Sequence, residues 1–129
     1  MELRPRVCAA IIRDEKILMV FQDHPLENRS FWTLPGGGVE TGETNEEAVI
    51  REVKEEVCLN GKAERLLFEA EYSLGPDYCY LVTVDAKEEA HLGVDPELSA
   101  DEQVLKGIAW FTLEEKKNDL QVSRVIACL

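Results

Sequence analysis

The sequence predicts one α+β domain in which several strands accompany a single well-marked helix. A chain of 129 residues suffices for one hydrophobic core. Apolar runs of strand length recur along it and are separated by turn-forming residues. A capping box, Thr44 with Glu47 three residues later, opens the one clearly helical segment. Repeats and linkers are absent from the sequence, so we expect a single domain over residues 1–129.

A hairpin is predicted at the start of the chain. The apolar run 6–13 and the run 17–22 flank Asp14-Glu15-Lys16, a plausible tight turn. The polar, proline-bearing residues 24–30 then indicate a loop. We interpret His24 as an ordinary loop residue.

A short strand over residues 31–34 is expected to end at Pro35. Phe31 has a ring suited to stacking on a nucleobase, whereas Trp32 is expected to fill the core. Arg29, just before this strand, is a candidate for contacting a phosphate or a base.

Consecutive glycines follow in Pro35-Gly36-Gly37-Gly38, which we interpret as a loop and not as the interior of a regular element. Glycine permits positive φ and close approach of the backbone to a ligand. Such a loop can direct carbonyls at a metal or amides at a phosphate, so Gly37 and Gly38 are candidate substrate-binding residues.

The helix is predicted to run from about Asn45 to Val57, with three carboxylates on one face: Glu52, Glu55 and Glu56. Like charges at this spacing repel by about 0.2–0.5 kcal/mol per pair. Glu52 and Glu56 can converge on one ion, while Glu55 can hold a second ion or orient a water molecule. Spacing alone leaves open whether this face binds a cation or is simply solvated.

Three strands are expected after the helix, together with one surface loop. The predicted strands are residues 62–74, 78–86 and 104–112, with turns at residues 60–61 and 75–77. Residues 87–101 are polar and acidic and predict the loop. The final apolar segment, residues 120–129, is of uncertain type.

Composition narrows the class of partner. A net charge of −12 disfavours binding to nucleic acid polymers and to anionic membranes. A small anionic substrate would be repelled as well, unless a divalent metal ion neutralises the site. The four scattered cysteines predict free thiols in a reducing cytoplasm. We expect neither a membrane helix nor a secretory signal, because no long apolar run is present.

The segment from Gly37 to Leu59 resembles the signature of the Nudix hydrolases, G-x5-E-x7-R-E-U-x-E-E-x-G-U, where U is apolar. The matching residues are Gly37, Glu43, Arg51, Glu52, Val53, Glu55, Glu56 and Leu59. Cys58 stands where the family has glycine. The preceding FWTLPGG and the order of predicted elements are also similar to the family.

The resemblance implies an α/β/α sandwich around a mixed β-sheet, with a catalytic loop–helix–loop. It implies hydrolysis of a nucleoside diphosphate linked to another group, such as a nucleoside triphosphate, ADP-ribose or a nucleotide sugar. The expected cofactor is Mg²⁺, for which Mn²⁺ can substitute. A nucleotide-binding module without turnover is the alternative, and a homodimer is a further option for completing the pocket.

The same resemblance assigns residues by position. Glu52, Glu55, Glu56 and the carbonyl of Gly36 are expected metal ligands, and Arg51 with Glu43 an orienting pair. Glu102 is the best-placed additional acid in the loop that precedes Trp110, with Glu97 and Asp101 as alternatives. The general base is left open among Glu55, Glu56 and Glu102.

Cys58 raises a conformational question at the end of the helix. Glycine there commonly adopts the left-handed conformation, which costs other residues about 1–2 kcal/mol. Either Cys58 adopts it, or the helix ends differently and Asn60-Gly61 makes the turn.

Overall fold

A computed structural model describes residues 4–96 and 98–129, without the side chain of Asp101. Its strands are β1 (Arg6–Ala10), β2 (Ile12–Arg13), β3 (Lys16–His24), β4 (Arg29–Thr33), β5 (Gly36–Gly38), β6 (Gly61–Tyr72), β7 (Gly75–Val84) and β8 (Leu105–Thr112). The helices are α1 (Asn45–Val57) and α2 (Leu120–Cys128), and short 3₁₀ turns lie at Pro25–Glu27 and Ala100–Glu102. No helix in the described ranges is long and apolar enough to cross a lipid bilayer.

The strands form two sheets. The first has the order β5-β1-β7-β6 and is mixed, because β1 and β7 run parallel while its other pairs are antiparallel. The second is antiparallel, with β3 between β4 and β8 and with β2 paired to one end of β3.

Helices cover the two faces of this arrangement. Alternation along β1 directs Val7 and Ala9 into a core shared with α1, while Cys8 and Ala10 enter a second core shared with α2. Helix α1 contributes its buried residues Ala48, Val49, Val53 and Val57. The expected α/β/α arrangement with a mixed sheet is therefore confirmed.

The glycine segment departs from prediction. We expected a loop, but Gly36–Gly38 form strand β5, which pairs antiparallel with β1. A Cβ on Gly36 would overlap the carbonyl oxygen of Val7. The lack of a side chain is thus what allows this strand to approach β1.

The predicted loop over residues 24–30 is wrong at both ends. His24 pairs with Arg29, so β3 extends to His24 and β4 begins at Arg29. Only residues 25–28 form the connection between the two strands. The turn predicted at residues 75–77 is also wrong, since Gly75 already begins β7. Pro76 is tolerated there because the β1–β7 ladder starts only at Asp77.

The C-terminal segment of uncertain type is helix α2. Its N-cap is Asp119, whose side chain accepts hydrogen bonds from the amides of Gln121 and Val122. Val122 and Val125 are its buried residues. The four cysteines are free thiols, as predicted.

Candidate active site

The carboxylate helix begins where its capping box predicts. Thr44 Oγ1 accepts from the Glu47 amide at 3.1 Å, and Glu47 Oε1 accepts from the Thr44 amide at 2.9 Å. Both bonds satisfy amides that the first helical turn leaves without partners. The start of α1, and with it the direction of its acidic face, is therefore set locally.

Cys58 ends the helix in the left-handed conformation, with φ 59° and ψ 31°. The first of the two alternatives for the helix exit is the one observed. Its amide donates to the Lys54 carbonyl at 3.2 Å, which closes the last turn.

A distant loop also caps this helix end. The amides of His91 and Gly93 donate to the carbonyls of Val57 and Glu56 at 3.0 and 2.8 Å. A Cβ on Gly93 would overlap the Glu55 carbonyl, so the loop approaches this closely only with glycine at that position. These contacts attach the loop after β7 to the carboxylate helix.

Arg51 contacts strand β5, the loop before α1 and the acidic face of α1. Its Nε and Nη2 donate to the two carboxylate oxygens of Glu43 at 2.7 and 3.0 Å. Nη2 also donates to the Gly38 carbonyl at 3.0 Å, and Nη1 donates to Glu52 Oε1 at 2.9 Å and Glu55 Oε2 at 3.3 Å. The hydrogen bond from Arg51 holds the pKa of Glu43 below its ordinary value.

Glu56, like Glu52, is partly buried, whereas Glu55 is exposed. Glu56 Oε1 accepts from the Gly36 amide at 3.0 Å, and within the described part of the chain Glu56 has no ion pair. Burial raises its pKa to about 8, against the lowering effect of the Gly36 amide, and the neighbouring charge of Glu52 adds to the rise. The pKa of Glu52 is also raised by burial, which outweighs its hydrogen bond from Arg51.

Strand β5 presents backbone groups to this acidic face. The Ala9 amide donates a hydrogen bond to the Pro35 carbonyl, and the Val39 amide donates to the Pro5 carbonyl. Because backbone hydrogen bonding alternates along an antiparallel pair, Gly36 and Gly38 occupy the positions that do not hydrogen-bond to β1. Since the N–H and C=O of a strand residue point the same way, the Gly36 carbonyl faces away from β1 together with its amide. The Glu52 carboxylate packs on Gly37, where a Cβ would overlap it.

A cavity of about 700 Å³ opens in front of the carboxylates. One wall is acidic and consists of Glu40, Glu52, Glu55 and Glu56. The opposite part comes from residues 93–96 and 98 and from Gln103, Val104 and Leu105, with Gln22 of β3 beside them. The cavity thus combines a strongly negative wall with one that is mainly apolar but includes the acidic Asp95.

The donor set suits a hard cation. The partly buried Glu56 has the like charges of Glu52 and Glu55 nearby, offset in part by Arg6, and one amide as its hydrogen-bond partner. A divalent ion would relieve the repulsion among the three carboxylates. Across residues 4–96 and 98–129, however, no three acidic, histidine or cysteine side chains converge as a ligand cluster. Glu52 and Glu55 are instead turned toward Arg51.

Other predicted site residues lie outside this cavity. Glu102 is exposed on a 3₁₀ turn, and its carboxylate accepts from the Ser99 amide, a contact that lowers its pKa. Phe31 stacks on His24 and has Arg29 over its ring, so these three form a separate group at the β3–β4 turn. Glu97 and the Asp101 side chain lie outside the described residues.

Sequence reasoning missed Gln22 and Glu40, which line the cavity. Glu40 follows the glycine strand closely, and its carboxylate lies 3.9 Å from Arg51, so its position in the motif is a usable signal. Gln22 had no such signal, because it reaches the cavity only through the pairing of β3 with β8.

Residues 2–126 match a family model described as the NUDIX domain. An ADP-ribose pyrophosphatase of Methanocaldococcus jannaschii is 48% identical over 58 residues, which are 44% of this chain and 33% of that protein. The 8-oxo-dGDP phosphatase NUDT18 of Homo sapiens is 41% identical over 69 residues, 50% of this chain and 21% of that protein. The aligned segments thus span only about a third and a fifth of these relatives.

A NUDIX-family hydrolase from Clostridium perfringens has a similar solved structure. The TM-score is 0.73 at 21% identity, and the match covers 98% of this chain and 94% of that one. At this identity the similarity concerns the fold.

Proposed function

This chain belongs to the Nudix family, and on that premise we propose that it is a metal-dependent pyrophosphohydrolase. Its reaction is the hydrolysis of the phosphoanhydride bond in a nucleoside diphosphate linked to another group. One observation carries the proposal: the partly buried carboxylate of Glu56 lies beside Glu52 and Glu55 on the wall of a cavity of about 700 Å³, and among the described residues it has no salt bridge. An acidic helix face that is simply solvated would leave this carboxylate exposed.

Glu52, Glu55, Glu56 and the Gly36 carbonyl are the groups that would hold the cation. When bound, Mg²⁺ or Mn²⁺ neutralises the phosphate charge that this acidic wall would otherwise repel, and it stabilises the transition state. Oxygen donors of this kind suit either ion.

The remaining roles belong to the chain's own groups. Arg51 and Glu43 hold the acidic face against β5, because Arg51 contacts both Glu43 and the Gly38 carbonyl. We assign removal of a proton from the attacking water to Glu55 or Glu56. The raised pKa of Glu56 suits proton acceptance near neutral pH. Gly37 and Gly38 are proposed backbone contacts for the substrate.

The substrate class is proposed more broadly. Nucleoside triphosphates, ADP-ribose and nucleotide sugars share the bond in question, and two relatives are named for ADP-ribose and for 8-oxo-dGDP. Arg29 and Phe31 are candidate contacts for a group extending beyond the cavity along β3 and β4. A cytoplasmic location and a second copy of the chain as partner belong to the same proposal.

A hydrolysis assay with Mg²⁺ across these substrates tests the proposal, with products separated by chromatography. We expect turnover by the wild type and a loss of about 10²–10⁴-fold in kcat for Glu55→Gln or Glu56→Gln. Glu47→Gln is the matched control, since it removes one charge from the same helix and glutamine preserves the capping box. Equal rates for all four proteins would refute the assignment.

Nucleotide binding without turnover would favour the alternative of a binding module. The absence of a converged ligand cluster among the described residues is the observation on its side. Calorimetry with the same nucleotides separates the two functions, because a binding module gives heat of binding but no product.

A further inference from the structure

The cavity wall contains one side-chain amide whose nitrogen has no hydrogen-bond acceptor among the described residues. Its lining includes four glutamates and two glutamines, and Gln103 is fully engaged within its own loop. Gln103 Nε2 donates to the carbonyls of Asp95 and Leu98 at 2.8 and 3.0 Å, and its Oε1 accepts from the Asp95 amide at 2.9 Å. Gln22 remains as the polar, uncharged side chain available to a ligand.

Gln22 is held in one orientation by its neighbour on the same strand. His24 Nε2 lies 3.0 Å from Gln22 Oε1. An amide oxygen only accepts hydrogen bonds, so the ring nitrogen is the donor. The Gln22 amide nitrogen keeps both of its N–H donors, and no acceptor for them is found in residues 4–96 and 98–129.

His24 is in turn fixed by an aromatic contact. Its ring stacks on Phe31, with centroids 5.7 Å apart and an interplanar angle of 13°. Arg29 Cζ lies 5.1 Å from the Phe31 centroid. The β3–β4 turn therefore sets the direction of an amide that lines the cavity.

The surroundings of Gln22 suit a flat nucleobase more than a phosphate. Gln22 pairs with Leu105 across the β3–β8 ladder, and the Asp23 amide donates to the Val104 carbonyl at 2.9 Å. Pro96 and Leu98 add apolar lining to the same cavity, where Asp95 adds a negative charge. Phosphates belong with the carboxylates, where a cation offsets their charge.

We propose that Gln22, oriented by His24, is a specificity-determining residue that selects nucleobases presenting a hydrogen-bond acceptor. The inference rests on the proposed function for the presence of a nucleotide in the cavity. A carbonyl-bearing purine accepts from the amide N–H groups. An adenine amino group offers a second donor and leaves donors unpaired, which is costly in a site of this kind.

Inosine and adenosine triphosphates are a matched test, because they place a carbonyl or an amino group at the same purine position. We expect the wild type to favour the inosine nucleotide by about tenfold or more in kcat/KM. Gln22→Met should remove the preference, and Gln22→Glu should shift it toward adenosine, since an ionised carboxylate only accepts. The ratio cancels any general effect of a variant on catalysis.

His24→Phe tests the orienting role separately. Phenylalanine retains the stack on Phe31 but loses the hydrogen bond to Gln22. The Gln22 amide can then present either its oxygen or its nitrogen to the nucleobase. The ratio of kcat/KM for the inosine and adenosine nucleotides should therefore fall toward unity. His91→Phe is the matched control, because the His91 side chain is exposed and lies outside the cavity lining.

Calorimetric binding of both nucleotides with Mg²⁺ gives the same ratio without turnover. Absence of hydrolysis with a retained binding preference would refute the proposed enzyme activity but support the role of Gln22. No preference in binding or turnover, or no binding of either nucleotide, overturns the inference.

Discussion

The partly buried carboxylate of Glu56 makes the stability of the metal-free protein depend on pH. In the folded chain its pKa is raised from 4.5 to about 8, mainly by burial. The unfolded chain therefore releases this proton first, and stability is lost as pH rises through the interval between these two values. Each pH unit contributes about 1.4 kcal/mol, so the whole window amounts to about 5 kcal/mol.

Glu56→Gln removes the ionisable group that causes this pH-dependent loss of stability. Its amide oxygen still accepts the hydrogen bond from the Gly36 amide. In EDTA at a pH above 8, we expect the variant to be more stable than the wild type by about 5 kcal/mol. Near pH 4.5 the two proteins should converge, because Glu56 is then largely protonated in the folded state. Urea unfolding at a series of pH values measures the difference directly.

Glu47→Gln provides the reference, since Glu47 lies exposed at the first turn of the same helix. Its stability relative to wild type should stay nearly constant across the series. Addition of Mg²⁺ should stabilise the wild type more than Glu56→Gln, because the cation relieves the charge that the variant lacks. A Glu56→Gln protein no more stable than wild type at high pH would refute the reasoning.

Three further substitutions test other contacts of the site. Arg51→Lys loses the paired hydrogen bonds to Glu43, and kcat should fall at least tenfold with retained charge; an unchanged kcat would contradict the orienting role. Cys58→Gly should raise the free energy of unfolding by about 0.5–1 kcal/mol by relieving a positive φ, whereas Cys58→Ala should not, and both are measured by urea unfolding. Gly93→Ala should detach the loop after β7 from the end of α1, since the added methyl overlaps the Glu55 carbonyl. In the hydrolysis assay, KM should then rise by a larger factor than kcat falls. Unchanged kinetics would show that this contact is dispensable.

The carboxylate helix was predictable because its determinants are close in sequence. The capping box of Thr44 and Glu47 acts over three residues, and the helical repeat alone places Glu52, Glu55 and Glu56 on one face. The contact between Arg51 and Glu43 spans little more than two helical turns of chain. Such short-range geometry follows from the order of residues.

The partners of that helix were decided by tertiary structure. Gly36–Gly38 became a strand only because β1 lies against it, and Gly93 caps α1 from a loop that is remote in sequence. Gln22 lines the cavity through the register of β3 with β8, whereas the remote acid expected at Glu102 caps its own turn. The sequence by itself determined which acids share a helix face. The partial burial of Glu56, and with it the chemistry of that face, arose from long-range pairing that no local pattern encodes.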